Sequence, residues 1–302
     1  MQEIESGAGA VALPSQSALA WRNPSQNRVM HTRVIPSSGA TLPVIGCGTW
    51  IGFDVGARPA DLPQRAAVLA ELFGAGGRVI DSSPMYGSAE QVVGDRLETS
   101  ASRPKAFLAT KVWTRGKRAG IAQMERSMTL LRTHHIDLMQ VHNLVDWRTH
   151  LETLRAWKSD GRISSLGVTH YTESAHSELE QVLRSTPLDF IQFNYSVAAR
   201  NAEKRLLPLA AERGVAVLVN LPFGGGSVLR SLRGKPLPGW AAEIGCGSWN
   251  QLLLKFVLAQ PAVTCVIPGT SSPQHMRDNA AAGAGELPGP EFWKDRIADL
   301  GF

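Results

Sequence analysis

Four side chains in this sequence are of the types that move protons together: Asp81, Tyr86, Lys111 and His142. A tyrosine with an unperturbed pKa near ~10 is a weak acid at neutral pH. A cation held against its oxygen favours the phenolate and lowers that pKa. Lys111 supplies such a cation, and Asp81 keeps the ammonium protonated and oriented. The phenol can then give its proton to a carbonyl oxygen as negative charge develops there. His142 can hydrogen-bond the same oxygen and hold the substrate. The set offers no nucleophile, because Ser82 and Ser83 have no evident histidine–carboxylate relay. Proton donation without a nucleophile fits carbonyl reduction, with hydride arriving from elsewhere.

Residues this far apart in sequence need a scaffold that brings them to one face. After an expected hairpin (33–35 and 41–43 about the Pro36–Gly39 turn), short β-rich runs alternate with helical patterns. Strands are expected at 44–47, 78–81, 106–110, 136–141, 163–168, 188–193, 215–219 and 263–267. Helices are expected at 62–74, 88–98, 118–132, 149–159, 174–184, 201–212, 249–259 and 273–282. Several strands are apolar almost throughout, as strands buried on both faces must be. Eight strand–helix units predict an α/β fold, a (β/α)8 TIM barrel preceded by an N-terminal β-hairpin. An open doubly wound sheet is the runner-up. It calls for G-x-G-x-x-G after the first strand, and Gly46-Cys47-Gly48-Thr49-Trp50 has no third glycine on time. In a barrel, chemistry sits at the C-terminal ends of the strands. Asp81, Lys111, His142, Thr169, His170, Gln192 and Asn220 all fall there.

The chain has 302 residues, 43% of them apolar and 19% charged, with a formal charge of +5. That is enough for a large single core in residues 33–302. No Lys/Arg block or aromatic-interleaved basic stripe marks a nucleic-acid partner, and no apolar stretch of about 20 residues marks a membrane span. Cys47, Cys246 and Cys265 are far apart and form neither a zinc spacing nor a redox pair, so free buried thiols and no metal are expected. Residues 1–32 read as an N-terminal tail, either disordered or the remnant of a targeting segment. Glu3, Glu5 and Pro14 count against a secretory signal. A cytoplasmic location follows, with a periplasmic one if that segment is an altered export signal. The last residues, from Phe292-Trp293 to Phe302, either fold over the mouth or lie disordered.

The strand-eight end also suits a phosphate. Gly269, Thr270, Ser271 and Ser272 lead to Pro273, a favoured first helical residue, which makes Ser272 an N-cap. Backbone N–H groups at such a terminus bind anions. After strand seven, Pro222, Phe223, Gly224, Gly225 and Gly226 would let backbone approach a pyrophosphate closely.

The run Asp81-Ser-Ser-Pro-Met-Tyr86-Gly87, the Ala109-Thr-Lys111-Val-Trp113 strand end, Gln140-Val-His142-Asn143 and the 267–279 segment resemble the aldo-keto reductase family over about residues 33–283. The likeness is to bacterial-type members that can carry twin-arginine export signals, although no such arginine pair stands here. The resemblance implies a nicotinamide cofactor and Asp81, Tyr86, Lys111 and His142 as a catalytic tetrad acting on a small carbonyl substrate, in a monomer or weak homo-oligomer. It places Thr169, His170, Gln192 and Asn220 around the nicotinamide, and Gly269, His275, Arg277 and Asn279 on the phosphate side. Many relatives carry Lys and Arg where Gly269 and His275 stand, so Arg277 or His275 takes part of that role. NADPH is favoured and NADH is possible. Trp50, Trp113 and Phe223 would wall an aromatic substrate pocket. Two other functions remain open: a nicotinamide-binding redox sensor or regulatory subunit, and a lyase or isomerase using the Lys111 amine. A protonated Lys111 disfavours the second.

Overall fold

The computed structural model describes residues 29–302 apart from Ala57 and Pro59; the rest of the expected N-terminal tail, residues 1–28, lies outside the described residues. Residues just before position 33 make contacts with the barrel. Met30 bridges to Ala284, and His31 donates its N–H to the Gly283 carbonyl at 2.8 Å.

The hairpin is β1 (Thr32–Val34) paired antiparallel with β2 (Thr41–Pro43). The barrel strands follow: β3 (Cys47–Gly48), β4 (Val79–Asp81), β5 (Phe107–Val112), β6 (Ile136–His142), β7 (Ile163–Thr169), β8 (Phe190–Asn194), β9 (Ala216–Asn220) and β10 (Val263–Val266). All eight run parallel in chain order. Parallel bridges Ile45–Val266 and Gly48–Gly269 bring the last strand back to the first and close the barrel. The seam requires glycine: a Cβ on Gly48 would stand 2.9 Å from the Ile267 carbonyl oxygen, and one on Gly46 would stand 2.8 Å from the Val79 Cβ.

Alternation along each strand splits the apolar residues into two layers. Val79, Phe107, Ala109, Leu138, Phe190, Ala216, Leu218, Cys265 and Ile267 fill the barrel interior, where Ile35 and Leu42 of the hairpin join them. The hairpin therefore plugs one end of the barrel. Arg33 fastens it by donating to the carbonyls of Leu258, Gln260 and Val263. Ile80, Leu108, Met139, Val141, Val168, Ile191 and Val219 face the other way, into the helical layer.

That layer comprises α1 (Leu62–Gly74), α2 (Ala89–Thr99), α3 (Lys117–Leu130), α4 (Trp147–Ser159), α5 (His176–Ser185), α6 (Leu206–Glu212), α7 (Ser227–Ser231), α8 (Trp249–Leu258), α9 (Pro273–Ala281) and α10 (Pro290–Lys294). Two expectations need correction. The helix expected at 201–212 breaks into a 3-10 turn over Asn201–Lys204 and then α6. Pro208 is the reason: it lacks an N–H and fits only the first turn of a helix, so a new helix begins at Leu206. The long connection from β9 to α8 holds a 3-10 turn over Gly224–Gly226, α7, and another turn over Gly239–Ala242. The C-terminal segment neither covers the mouth nor hangs free. Trp293 is 1% exposed and packs edge-on against Phe256 of α8, Trp240 and Phe292, so the segment docks on the outer layer.

Gly94 sits inside α2, where glycine costs helix stability. A Cβ there would meet the Leu130 carbonyl oxygen at 2.1 Å, so the residue sets how closely α2 approaches the end of α3. Gly94→Ala is expected to lower the unfolding free energy by roughly 1–3 kcal/mol in urea titration, the usual cost of overpacking. Gly74→Ala, at an exposed helical position with nothing within 4 Å, is expected to leave stability unchanged or raise it slightly.

Candidate active site

The parallel register lines up the polar strand ends. Asp81 pairs with Ala109, Lys111 with Gln140, Gln140 with Gly167 and Thr169 with Gln192. Lys111 is fully buried. Its Nζ donates to Asp81 Oδ2 at 2.7 Å and to the Ser82 carbonyl at 2.6 Å, with Tyr86 beside it. It lies 5.1 Å from the Tyr86 ring centroid. The other Asp81 oxygen, Oδ1, accepts from Gln192 Nε2 at 3.1 Å and Gln140 Nε2 at 3.4 Å, and Gln192 Oε1 accepts from Thr169 Oγ1 at 2.8 Å. One hydrogen-bonded chain thereby joins β4, β5, β6, β7 and β8.

Tyr86 is carried on the turn between β4 and α2. The turn is pinned from outside by Asp54, whose Oδ1 accepts from the Ser88 N–H and hydroxyl, both at 2.9 Å. The ring stands edge-on to His142, with centroids 6.1 Å apart, and Trp113 lies 6.4 Å from the same imidazole. The structure therefore brings the four expected proton-handling residues and Trp113 together.

Charge within the site departs from the simple expectation. Burial raises the Tyr86 pKa, and the lowering by Lys111 does not cancel it, partly because Asp81 pushes upward too. The phenol thus keeps its proton at rest. Burial would lower the Lys111 pKa, yet Asp81 and then Tyr86 outweigh it and the net shift is upward, so the lysine stays an ammonium. Burial, the Lys111 charge and His170 push His142 down to about 3, which leaves a neutral imidazole.

The expected cofactor residues lie at the ends of β7, β9 and β10, apart from Gln192 on β8 and His275, Arg277 and Asn279 in α9. His170 stacks on Tyr171 with centroids 5.6 Å apart, and its Nδ1 faces the Thr172 N–H at 3.2 Å. Asn220 donates to the His170 carbonyl at 3.5 Å, while its Oδ1 is buried without a partner. Leu221, then Gly224, Gly225 and Gly226 flanking Pro222 and Phe223, take positive φ, which suits glycine at the latter three. Phe223 is packed in the outer apolar layer, while Trp50 and Trp113 are 54% and 38% exposed at the mouth. Ser272 is the N-cap of α9, accepting from the His275 N–H at 3.3 Å, with Pro273 first in the helix and Thr270 Oγ1 bracing the Ser272 N–H at 3.0 Å. Gly269 lies on the barrel seam, with Ser271 beyond it. His275 is exposed, Arg277 is held by Glu71 of α1, and Asn279 accepts from Asn250 at 3.0 Å. A buried orphan oxygen, a positive-φ glycine run and a capped helix start, on adjoining strand ends, fit a nicotinamide dinucleotide. Among the described residues, no three His, Cys, Asp or Glu side chains converge to hold a metal ion.

Residues 44–294 match the family model described as the aldo/keto reductase family. The chain belongs to that family. An aldo-keto reductase of Mycobacterium sp. (strain JLS) is 27% identical over 249 residues, covering 80% of this chain and 84% of its own. The NADH-specific methylglyoxal reductase of Escherichia coli (strain K12) is 25% identical, over 80% and 90%. A crystal structure of an aldo/keto reductase from Klebsiella pneumoniae, in complex with NADP and acetate, superposes with a TM-score of 0.75 at 29% identity, covering 90% of this chain and 95% of that one. The expected reductase class and (β/α)8 barrel are borne out for this aldo/keto reductase.

Two residues of the site went unassigned in the sequence. Gln140 stands two positions before His142 on one strand and so shares its inward face, a signal that period-two alternation offered. Ser83 was set aside as a nucleophile, yet its Oγ lies 3.2 Å from His142 Nδ1.

His142 also gives a pH prediction. The unfolded imidazole protonates near its ordinary 6.5 and the folded one near 3, so the unfolded chain binds more protons in between. Stability from this group is therefore full above ~6.5 and is lost as pH falls toward ~3. Urea unfolding of His142→Gln is expected to show a shallower loss of stability on acidification than the unaltered protein.

Proposed function

We propose that this aldo/keto reductase reduces an aldehyde or ketone to the alcohol with NADPH as the favoured reductant and NADH as the alternative, and that Tyr86 is the proton donor. The observation that carries the reading is the Lys111 ammonium, held between Asp81 and Tyr86 at the barrel mouth. NADPH and NADP complexes of the Klebsiella pneumoniae relatives and the NADH-specific Escherichia coli relative support the cofactor range.

Bound in the cleft, the reduced nicotinamide supplies hydride. The chain's own residues do the rest. Thr169, His170, Gln192 and Asn220 hold the nicotinamide end, and the loops at 222–225 and 269–272, with His275, Arg277 and Asn279, hold the phosphate end. Tyr86 keeps its proton at rest and releases it to the substrate oxygen as charge develops there. Lys111 stabilises the resulting phenolate; fixed beforehand, it costs no reorganisation at that moment. Neutral His142 directs an N–H at the same oxygen.

The rim supports an apolar substrate. Trp50, Ile51, Met85, Trp113 and Tyr171, all in loops that follow barrel strands, are among the few large apolar side chains left exposed. An exposed apolar collar of this kind marks a ligand groove. A monomer or weak homo-oligomer is part of the proposal. No helix among the described residues is long and apolar enough to cross a membrane, and a cytoplasmic location is part of the proposal.

Cofactor titration by fluorescence, followed by turnover of a carbonyl panel, tests the reading. Tyr86→Phe is expected to lower kcat by at least ~100-fold, the scale of lost general-acid catalysis, with the NADPH Kd nearly unchanged. Turnover close to that of the unaltered enzyme would overturn the assignment. On the same panel, aromatic aldehydes are expected to exceed methylglyoxal in kcat/KM, and Trp113→Ala is expected to remove most of that preference.

A further inference from the structure

We propose that Ser83 is a positioning residue that fixes the His142 imidazole as the tautomer with its proton on Nε2, so that the N–H faces the substrate oxygen. The proposal rests on the reading of His142 given above.

Ser83 is fully buried, two residues beyond the end of β4. Its hydroxyl has one proton to give and two lone pairs to receive. The Met85 N–H donates to Ser83 Oγ at 3.3 Å, which occupies one lone pair. The other neighbour within hydrogen-bond distance is His142 Nδ1, at 3.2 Å. If Nδ1 carried the proton, both neighbours would donate to Oγ. The serine proton would then have no acceptor among the described residues. A buried hydroxyl without an acceptor costs free energy that a change of tautomer avoids. If Ser83 donates instead, Met85 N–H, Ser83 O–H and Nδ1 are all satisfied.

A neutral imidazole that accepts at Nδ1 must carry its proton on Nε2. That nitrogen has no protein partner among the described residues, and it is not one of the side-chain atoms sealed from solvent. It opens on the mouth, beside the rings of Tyr86 and Trp113. Burial, and then the nearby Lys111 cation, keep the ring neutral, so the choice of tautomer matters at working pH. Pro84 and the Ser83–Tyr86 turn, closed by the Tyr86 N–H to the Ser83 carbonyl at 3.0 Å, hold the hydroxyl where the ring meets it. One short turn thus carries the proton donor and orients its partner.

The test is imidazole nitrogen NMR on histidine-labelled protein, with the His142 signals assigned by their loss in His142→Gln. A protonated Nε2 and an unprotonated Nδ1 are expected in the unaltered enzyme. Ser83→Ala is expected to give a mixture of tautomers, with kcat lowered about 3- to 10-fold, the scale of one hydrogen bond, and the NADPH Kd unchanged. A proton on Nδ1 in the unaltered enzyme overturns the proposal without any variant. So does Ser83→Ala with the tautomer unchanged, whether or not kcat falls, because the serine then acts by packing alone. Failure of the tetrad reading is seen separately, in Tyr86→Phe.

Discussion

An ammonium and a carboxylate withdrawn from water are the costliest objects in this barrel. Stripping either of solvent alone costs several kcal/mol, and removing one partner of a buried pair typically costs about 3–5 kcal/mol. Lys111 and Asp81 are tolerable together because the ammonium and both carboxylate oxygens have partners. The ammonium donates to Asp81 and the Ser82 carbonyl and lies beside Tyr86, and the carboxylate receives Gln140 and Gln192 on its free side. A lysine so saturated is a poor amine nucleophile. The lyase or isomerase reading of Lys111 therefore finds no support in the geometry.

That pair dictates the register of half the barrel. Its partners come from β4 to β8, and each must point inward at the same level. Because side chains alternate along a strand, a slip of one residue would turn Lys111 or Gln140 out among the apolar side chains of the helical layer. The same arrangement gives the tyrosine two opposed influences. Burial keeps its proton on, while the adjacent cation waits to stabilise the anion left after donation.

Much of this was legible because local signals agreed. Leu62–Gly74 is helical over the expected span, and the Ser272-Pro273 start behaves as a capped helix. Asp81, Tyr86, Lys111 and His142 meet where strand ends predicted. What escaped depended on distant packing. Nothing near Trp293 in the sequence says that Phe256 and Trp240 will receive it. The net direction of the Tyr86 shift depends on how deeply the folded chain buries it, which a motif does not encode. Ser83 was discounted because it was judged as a nucleophile, whereas its surroundings make it a donor to an imidazole.

The barrel seam has a consequence for synthesis. Residue 45 bridges to 266, and the segment before the first strand lies against residues 283–284. On a ribosome, β3 emerges early and has only β4 for a neighbour until nearly the whole chain has been made. Closure, and with it protection of the first strand's open edge, belongs to the final moments of translation. Glycine at positions 46 and 48 leaves one face of that waiting strand without side chains, while Ile45 and Cys47 carry apolar surface that stays open until the barrel closes.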